Sequence, residues 1–91
     1  MITDVYLVYN DDSQLKRLND SLEVSLFFTY INESSRKGKK EAYKLKSEWG
    51  ARKTPFAICF NKETPIKAFF SETGEDVIES LITYLNGIQK T

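Results

Sequence analysis

Residues 49–58 read Trp49-Gly50-Ala51-Arg52-Lys53-Thr54-Pro55-Phe56-Ala57-Ile58, and they contain the most informative local signals of the chain. Glycine suits the left-handed turn that ends many helices, so Gly50 after an aromatic residue predicts a helix end. Proline fixes its own backbone angle and lacks an N–H group, so the step from Thr54 to Pro55 predicts a turn before the apolar run that follows. The stretch therefore predicts a helix, a turn and a strand in that order.

Two strands and a short helix are predicted in the first third of the chain. The run 4–9 is rich in β-forming apolar residues and ends at the polar cluster 10–13, where a helix is expected to start. One stripe of that helix consists of leucines: Leu15, Leu18 and Leu22. The run 24–31 is apolar on both faces, which predicts a parallel strand covered on both sides of the sheet.

A second helix is predicted to lead into the opening stretch. Ser34 and Ser35 are candidate caps at its start, and Gly50 stops it after Trp49. Its apolar stripe contains Ala42 and Leu45 as well as Trp49.

Two more strands and a last helix are predicted after the turn. Strands over 56–60 and 66–71 are separated by the turn-forming residues 61–65, so they should form an antiparallel hairpin with Pro65 at a sheet edge. An amphipathic helix should follow, opened by Thr73 and closed near Gly87. The order βαβαββα predicts one α/β domain over residues 1–91, with a four-stranded mixed sheet flanked by helices.

This order and the motif aromatic-Gly-x-Arg-x-x-Pro resemble the thioredoxin and glutaredoxin superfamily in its minimal form. The similarity covers nearly the whole chain and is most specific from Trp49 to Leu85. It implies that Pro55 is the cis-proline of that superfamily and that Thr54 offers its backbone to an extended peptide or to glutathione. It also implies that the starts of the first and last helices converge on this loop.

The chain departs from the superfamily where the reactive thiol should lie. The turn before the first helix reads Asn10-Asp11-Asp12-Ser13-Gln14, so the Cys-x-x-Cys pair is missing and no thiol is present for dithiol or monothiol exchange there. The one cysteine, Cys59, falls in the middle of a predicted buried strand, where thiols react poorly. The chain also has no histidine. We therefore assign no catalytic residue, no cofactor and no metal site.

A polar binding surface remains at the same edge of the predicted sheet. Its candidate residues are Arg52, Lys53, Thr54 and Pro55 in the loop, Asp11, Asp12 and Ser13 at the first helix start, and Glu75 and Asp76 at the last helix start. Glu72 should also lie near Arg52 and Lys53. The simpler interpretation of the first helix start is a cap formed by Asp12 or Ser13.

Charge and composition limit the partners that this chain could bind. The formal net charge is zero, but the segment 36–53 carries eight basic and two acidic residues. We interpret this segment as a solvated helix face, since a neutral chain is not typical of a dedicated nucleic-acid binder. A single cysteine fits a reducing compartment, and no apolar run approaches transmembrane length. The expected location is the cytoplasm, or a host cytoplasm or virion if the source is viral.

Three classes of function follow. The favoured one is a redox-inactive thioredoxin-like module, not an enzyme, that binds a protein or peptide at the Thr54-Pro55 edge. The second is a glutathione- or thiol-dependent oxidoreductase, although acidic Glu75 and Asp76 at the last helix start disfavour glutathione as the ligand. The third is a small structural or host-interaction protein of a virus or mobile element.

Overall fold

The computed structural model describes residues 2–72 and 74–89, which form strands and helices in the predicted order. The elements are β1 (Asp4–Tyr9), α1 (Asp12–Ser21), β2 (Phe27–Asn32), α2 (Arg36–Trp49), β3 (Phe56–Asn61), β4 (Thr64–Phe70) and α3 (Val77–Gln89). Thr73, the predicted opening residue of the last helix, lies outside the described residues. Within those described ranges, none of the helices has the length and apolarity needed to cross a membrane.

The four strands form one mixed sheet in the order β2-β1-β3-β4. Strands β1 and β2 are parallel, with Val8 beside Ile31, because α1 carries the chain back across the sheet between them. Strand β3 runs antiparallel to β1, with Phe56 opposite Val8, and β4 returns as a hairpin with β3. The predicted α/β class and mixed sheet are confirmed.

Alternate residues of the central strands fill two cores on opposite faces of the sheet. Leu7 belongs to a core with Leu18 of α1 and Leu81 of α3. Val8, the next residue, belongs to the second core, with Ala42 of α2. Because successive side chains of a strand point to opposite faces, the apolar run of β1 is buried on both.

The boundaries of α2 are those that the sequence predicts. Ser35 accepts a hydrogen bond from the backbone N–H of Gly38 at 2.9 Å, which caps the helix start. Gly50 takes the left-handed conformation, with φ of 70°, and ends the helix after Trp49. Gly38 also lies against the end of β2, where a Cβ atom would be only 1.9 Å from the carbonyl oxygen of Asn32.

The prediction that the second strand is covered on both faces is wrong. Strand β2 covers Phe27–Asn32, lies at the edge of the sheet, and leaves 80% of Phe27 and 38% of Tyr30 exposed. The many apolar and aromatic residues of this run suggested burial, but the order of the strands places β2 at the edge of the sheet. Only Ile31 of this strand is buried, in the core beneath α2.

The hairpin and the last helix differ in detail from the predicted boundaries. The β3–β4 turn contains only Lys62 and Glu63, and Pro65 lies within β4 at the predicted sheet edge. Phe60 pairs with Pro65 while Cys59 pairs with Lys67, so β4 contains an extra residue between those pairs. Helix α3 continues through Gly87 to Gln89 because apolar positions on its core face outweigh one glycine.

Candidate functional site

The loop that ends at Pro55 is fixed to the chain that follows β4. The Thr54–Pro55 peptide bond is cis. A carboxylate oxygen of Glu72 accepts hydrogen bonds from the backbone N–H groups of Arg52 at 2.6 Å and Lys53 at 3.2 Å. The neighbouring Ser71 donates a hydrogen bond from its hydroxyl group to the carbonyl oxygen of Pro55. Glu72 therefore contacts the backbone of the loop, while the side chains of Arg52 and Lys53 remain exposed.

The side chain of Thr54 is held by a second carboxylate, from Glu33. The Thr54 hydroxyl donates to Oε2 of Glu33, and Oε1 of the same carboxylate lies 2.8 Å from Nζ of Lys46. The side chains of Glu33 and Lys46 are 28% and 22% exposed, so the pair is shielded from most of the solvent. Neither residue was a candidate from the sequence. The available signal was that Glu33 follows a strand parallel to β1. It therefore lies beyond the carboxyl ends of these strands, as the start of α1 does.

The backbone of Thr54 is open, in contrast to its side chain. Residues 2–72 and 74–89 supply no hydrogen-bond partner for the N–H or C=O of Thr54, and the residue is half-buried. It lies two residues before Phe56, the first residue of β3. A polar backbone pair in this position can bind an extended segment in the manner of a neighbouring strand.

The start of α1 is connected to Thr54 through the residues after β2. The hydroxyl of Ser34 donates to the carbonyl oxygen of Asn10 at 3.0 Å, and the backbone N–H of Glu33 donates to Tyr9 at 2.8 Å. Residues 33 and 34 thus join the turn before α1 to the side chain of Thr54. Among the described residues, Asp11, Asp12 and Ser13 form no hydrogen bond or ion pair with the proline loop itself.

The helix cap at α1 is Asp11, and the prediction of Asp12 or Ser13 as the cap is wrong. Oδ1 of Asp11 accepts from the backbone N–H of Ser13 at 2.9 Å, because the extended conformation of Asp11 aims its side chain at the first turn. This hydrogen bond lowers the pKa of the Asp11 carboxyl. The side chain of Asp12 has no hydrogen bond or ion pair within the described part of the chain.

The start of α3 connects to α1 through Arg17, a residue that no sequence motif indicated. Arg17 lies 2.9 Å from Asp76 and 3.0 Å from Glu79 in an exposed ion-pair network. Asp76 also accepts from the backbone N–H of Glu79 at 3.1 Å. These contacts lower the pKa of Asp76, and the hydrogen bond from Arg17 has the largest effect. Asp76 is thus engaged with α1 and not with Arg52 or Lys53, while Glu75 is exposed.

Cys59 lies within the buried strand β3, as the sequence predicts. It is fully buried in β3, and burial raises the pKa of its thiol to about 11 although Lys67 acts in the opposite direction. The thiol is therefore protonated at neutral pH and shielded from reagents. The described residues contain no group of His, Cys, Asp or Glu arranged to hold a metal ion.

A shallow groove of about 460 Å³ lies elsewhere, on the sheet face that carries α2. Its lining is mainly aromatic and aliphatic, with two glutamates at its rim: Tyr6, Leu45, Glu48, Trp49, Ile58, Phe60, Glu63 and Pro65. No residue of the Thr54–Pro55 loop lines it. The groove and the loop are separate surfaces of the protein.

Comparisons with models of known protein families, with curated proteins and with solved structures found no match to this chain. The loop itself offers three kinds of binding group. They are an open backbone pair, a shielded Glu33–Lys46 ion pair and two exposed cations. These groups can bind a ligand through hydrogen bonds and charge.

Proposed function

We propose that this chain is a redox-inactive thioredoxin-like domain that binds an extended segment of a protein or peptide partner at the Thr54–Pro55 edge. The observation that carries the proposal is the open N–H and C=O pair of Thr54, half-buried just before β3. Backbone N–H and C=O groups that the chain leaves unpaired just before a strand can pair with an extended segment of a partner.

The loop is rigid enough to act as a docking site. Glu72 and Ser71 hold its backbone from one side, and Glu33 holds the Thr54 hydroxyl from the other. A binding group that is already fixed loses little conformational entropy when the partner arrives. The open backbone of Thr54 is therefore preorganised for main-chain pairing.

The charges beside Thr54 indicate the chemistry of the partner segment. The side chains of Arg52 and Lys53 are exposed and form no ion pair with other described residues. Both precede Thr54 directly in the chain. A segment with acidic residues next to its paired backbone would complement them and associate faster at low salt.

The thioredoxin-like assignment has support from topology as well as from the loop. A parallel β1–β2 pair, an antiparallel hairpin at the other side and helices on both faces agree with the minimal form of that fold. Burial of Cys59 supports redox inactivity and counts against the thiol-dependent alternative. A cytoplasmic location is part of the same proposal.

The test is selection of random linear peptides on the intact chain, followed by amide hydrogen exchange with each selected peptide. We expect the amide of Thr54 to exchange more slowly when a peptide is bound, because it then donates to the peptide backbone. The amide of Lys62 in the β3–β4 turn is the control, since it already donates to Thr3 at 2.6 Å and lies at another part of the sheet.

A charge variant extends this test to the side chains. The double substitution Arg52→Glu and Lys53→Glu should raise the dissociation constants of acidic peptides about tenfold. It should leave the fold intact, since both side chains are exposed. The matched control is Lys39→Glu with Lys40→Glu on the exposed face of α2. Peptides that bind without slowing exchange at Thr54 would contradict the proposed site.

A further inference from the structure

Strand β2 lies at the edge of the sheet, and one hydrogen bond shows which of its backbone groups point away from β1. Glu33 donates its N–H to Tyr9 of β1, so the backbone groups of residue 33 point toward the sheet. The N–H and C=O of one strand residue point the same way, and the direction alternates along the strand. The backbone groups of Phe28 and Tyr30 therefore point outward from β2, away from β1.

The two edges of the sheet are protected very differently. Strand β4 has Pro65, Lys67 and an irregular register, features that discourage pairing with another chain. Strand β2 reads Phe27-Phe28-Thr29-Tyr30-Ile31-Asn32, with no charge and no proline. Its Phe27 is 80% exposed, more than any other large hydrophobic side chain in the described part of the chain. The β2 edge is thus open for strand addition.

We propose that β2 pairs antiparallel with β2 of a second copy of this chain, with the two-fold axis at Thr29. In this register Phe28 of each copy exchanges backbone hydrogen bonds with Tyr30 of the other. Centring the pair further along β2 would require the backbone of Asn32, whose carbonyl oxygen already accepts from Ser35 at 2.9 Å. The two outward residues with open backbone groups thus set the register.

The side chains and charges of this register are self-complementary. Phe28 and Tyr30 stack with their rings parallel and 5.3 Å apart on one face, so the two copies would form one continuous aromatic row there. On the other face, the exposed ring of Phe27 lies opposite Ile31 of the second copy. Ser25 falls opposite Glu33, so no like charges meet, and a neutral strand is suited to pairing with its own copy.

Charge substitution at the two-fold axis tests the register by sedimentation equilibrium from micromolar to millimolar concentration. Thr29 is exposed, and in the dimer the two Thr29 side chains are directly opposite each other. Thr29→Lys or Thr29→Glu alone should raise the dimer dissociation constant about tenfold or more. An equimolar mixture of the two variants should restore dimerisation, because opposite charges then meet.

Tyr43→Lys is the matched control, because Tyr43 is an aromatic residue 76% exposed on α2, outside this edge. It should leave the dissociation constant unchanged. A wild-type chain that stays monomeric up to millimolar concentration would overturn the proposal. So would a dimer that Thr29→Lys leaves intact.

Hydrogen exchange of the wild-type chain gives a second measurement that needs no variant. The outward amides of Phe28 and Tyr30 should exchange more slowly as concentration rises. The amide of Thr29 points toward β1 and should not change. Equal concentration dependence at all three amides, or none at Phe28 and Tyr30, would contradict the β2 register.

Discussion

The hydroxyl group of Thr54 donates a hydrogen bond to the carboxylate of Glu33, a residue 21 positions earlier in the chain. The second oxygen of that carboxylate binds Lys46 of α2 at 2.8 Å. The residue before Pro55 is therefore held by a carboxylate that directly follows β2 and is itself bound to α2. These hydrogen bonds connect the proline loop to the end of β2 and to α2.

Glu33→Gln should lower the free energy of unfolding by about 1 kcal/mol. The substitution removes the charge that pairs with Lys46 and weakens the acceptor for Thr54, in a region where both charged side chains are mostly shielded. Urea unfolding of the two proteins measures the difference. Glu41→Gln, on the exposed face of α2, is the control and should change stability by less than about 0.5 kcal/mol. Equal effects of both substitutions would exclude a stabilising role for this ion pair.

Gly38→Ala should destabilise the chain by about 2 kcal/mol or more. An added Cβ would lie 1.9 Å from the carbonyl oxygen of Asn32, so the start of α2 and the end of β2 would have to separate. Gly87→Ala in α3 is the matched control. A Cβ there meets no atom of the described residues within 4 Å, and alanine favours the helix, so this variant should gain about 0.5–1 kcal/mol. Thermal unfolding would show opposite shifts of the two midpoints, and a stable Gly38→Ala variant would contradict the close packing.

Arg17→Met should reduce the pH dependence of stability on the acidic side. Arg17 lowers the pKa of Asp76 in the folded chain, so Asp76 stabilises the fold at pH values above its unfolded pKa. That stabilisation is lost as the pH falls through the folded pKa, below the usual 3.8. The variant should thus be less stable than wild type at neutral pH and nearly equal to it in strong acid.

Lys16→Met is the neighbouring control on α1, because Lys16 has no ion pair with another described residue. Urea unfolding at several pH values compares the three proteins. An Arg17→Met curve that is parallel to the wild-type curve would show that the Arg17–Asp76 contact does not contribute.

Cys59 should resist thiol reagents as long as the chain is folded. Its pKa is raised to about 11 by burial and its side chain is fully enclosed, so labelling at mildly alkaline pH should be at least about a hundredfold slower than in urea. The rate of reaction with a chromogenic disulfide gives the measurement. A Cys59→Ala chain is the blank, and rapid labelling of the native protein would revive a thiol-based function.

Local patterns were sufficient for several features of the fold. Ser35 and Gly50 set the ends of α2 because capping groups and left-handed turns depend on residues only a few positions apart. The apolar run of β3 likewise indicated a buried strand, and Cys59 lies fully buried in it. The ends of α2 and the burial of β3 can thus be predicted from residue types and from the spacing of apolar residues along the chain.

Local patterns misjudged β2 and missed the partners of the proline loop. The six residues Phe27–Asn32 resemble a buried strand by composition, but burial depends on what packs on each face and beside each edge. Glu33, Arg17 and Lys46 are charged residues in a chain rich in charge, and only the fold shows which carboxylate each cation meets.

Three properties follow from the amino-acid sequence alone: the order of strands and helices, the ends of α2 and the absence of a thiol at the start of α1. Those properties depend on residue type, hydrophobic period and short-range hydrogen bonds. Three others depend on the folded chain: Glu33 accepts a hydrogen bond from Thr54, Arg17 binds Asp76 and β2 lies at the edge of the sheet. Such contacts join residues distant in sequence, and their existence depends on how the strands are ordered and how the helices cross the sheet.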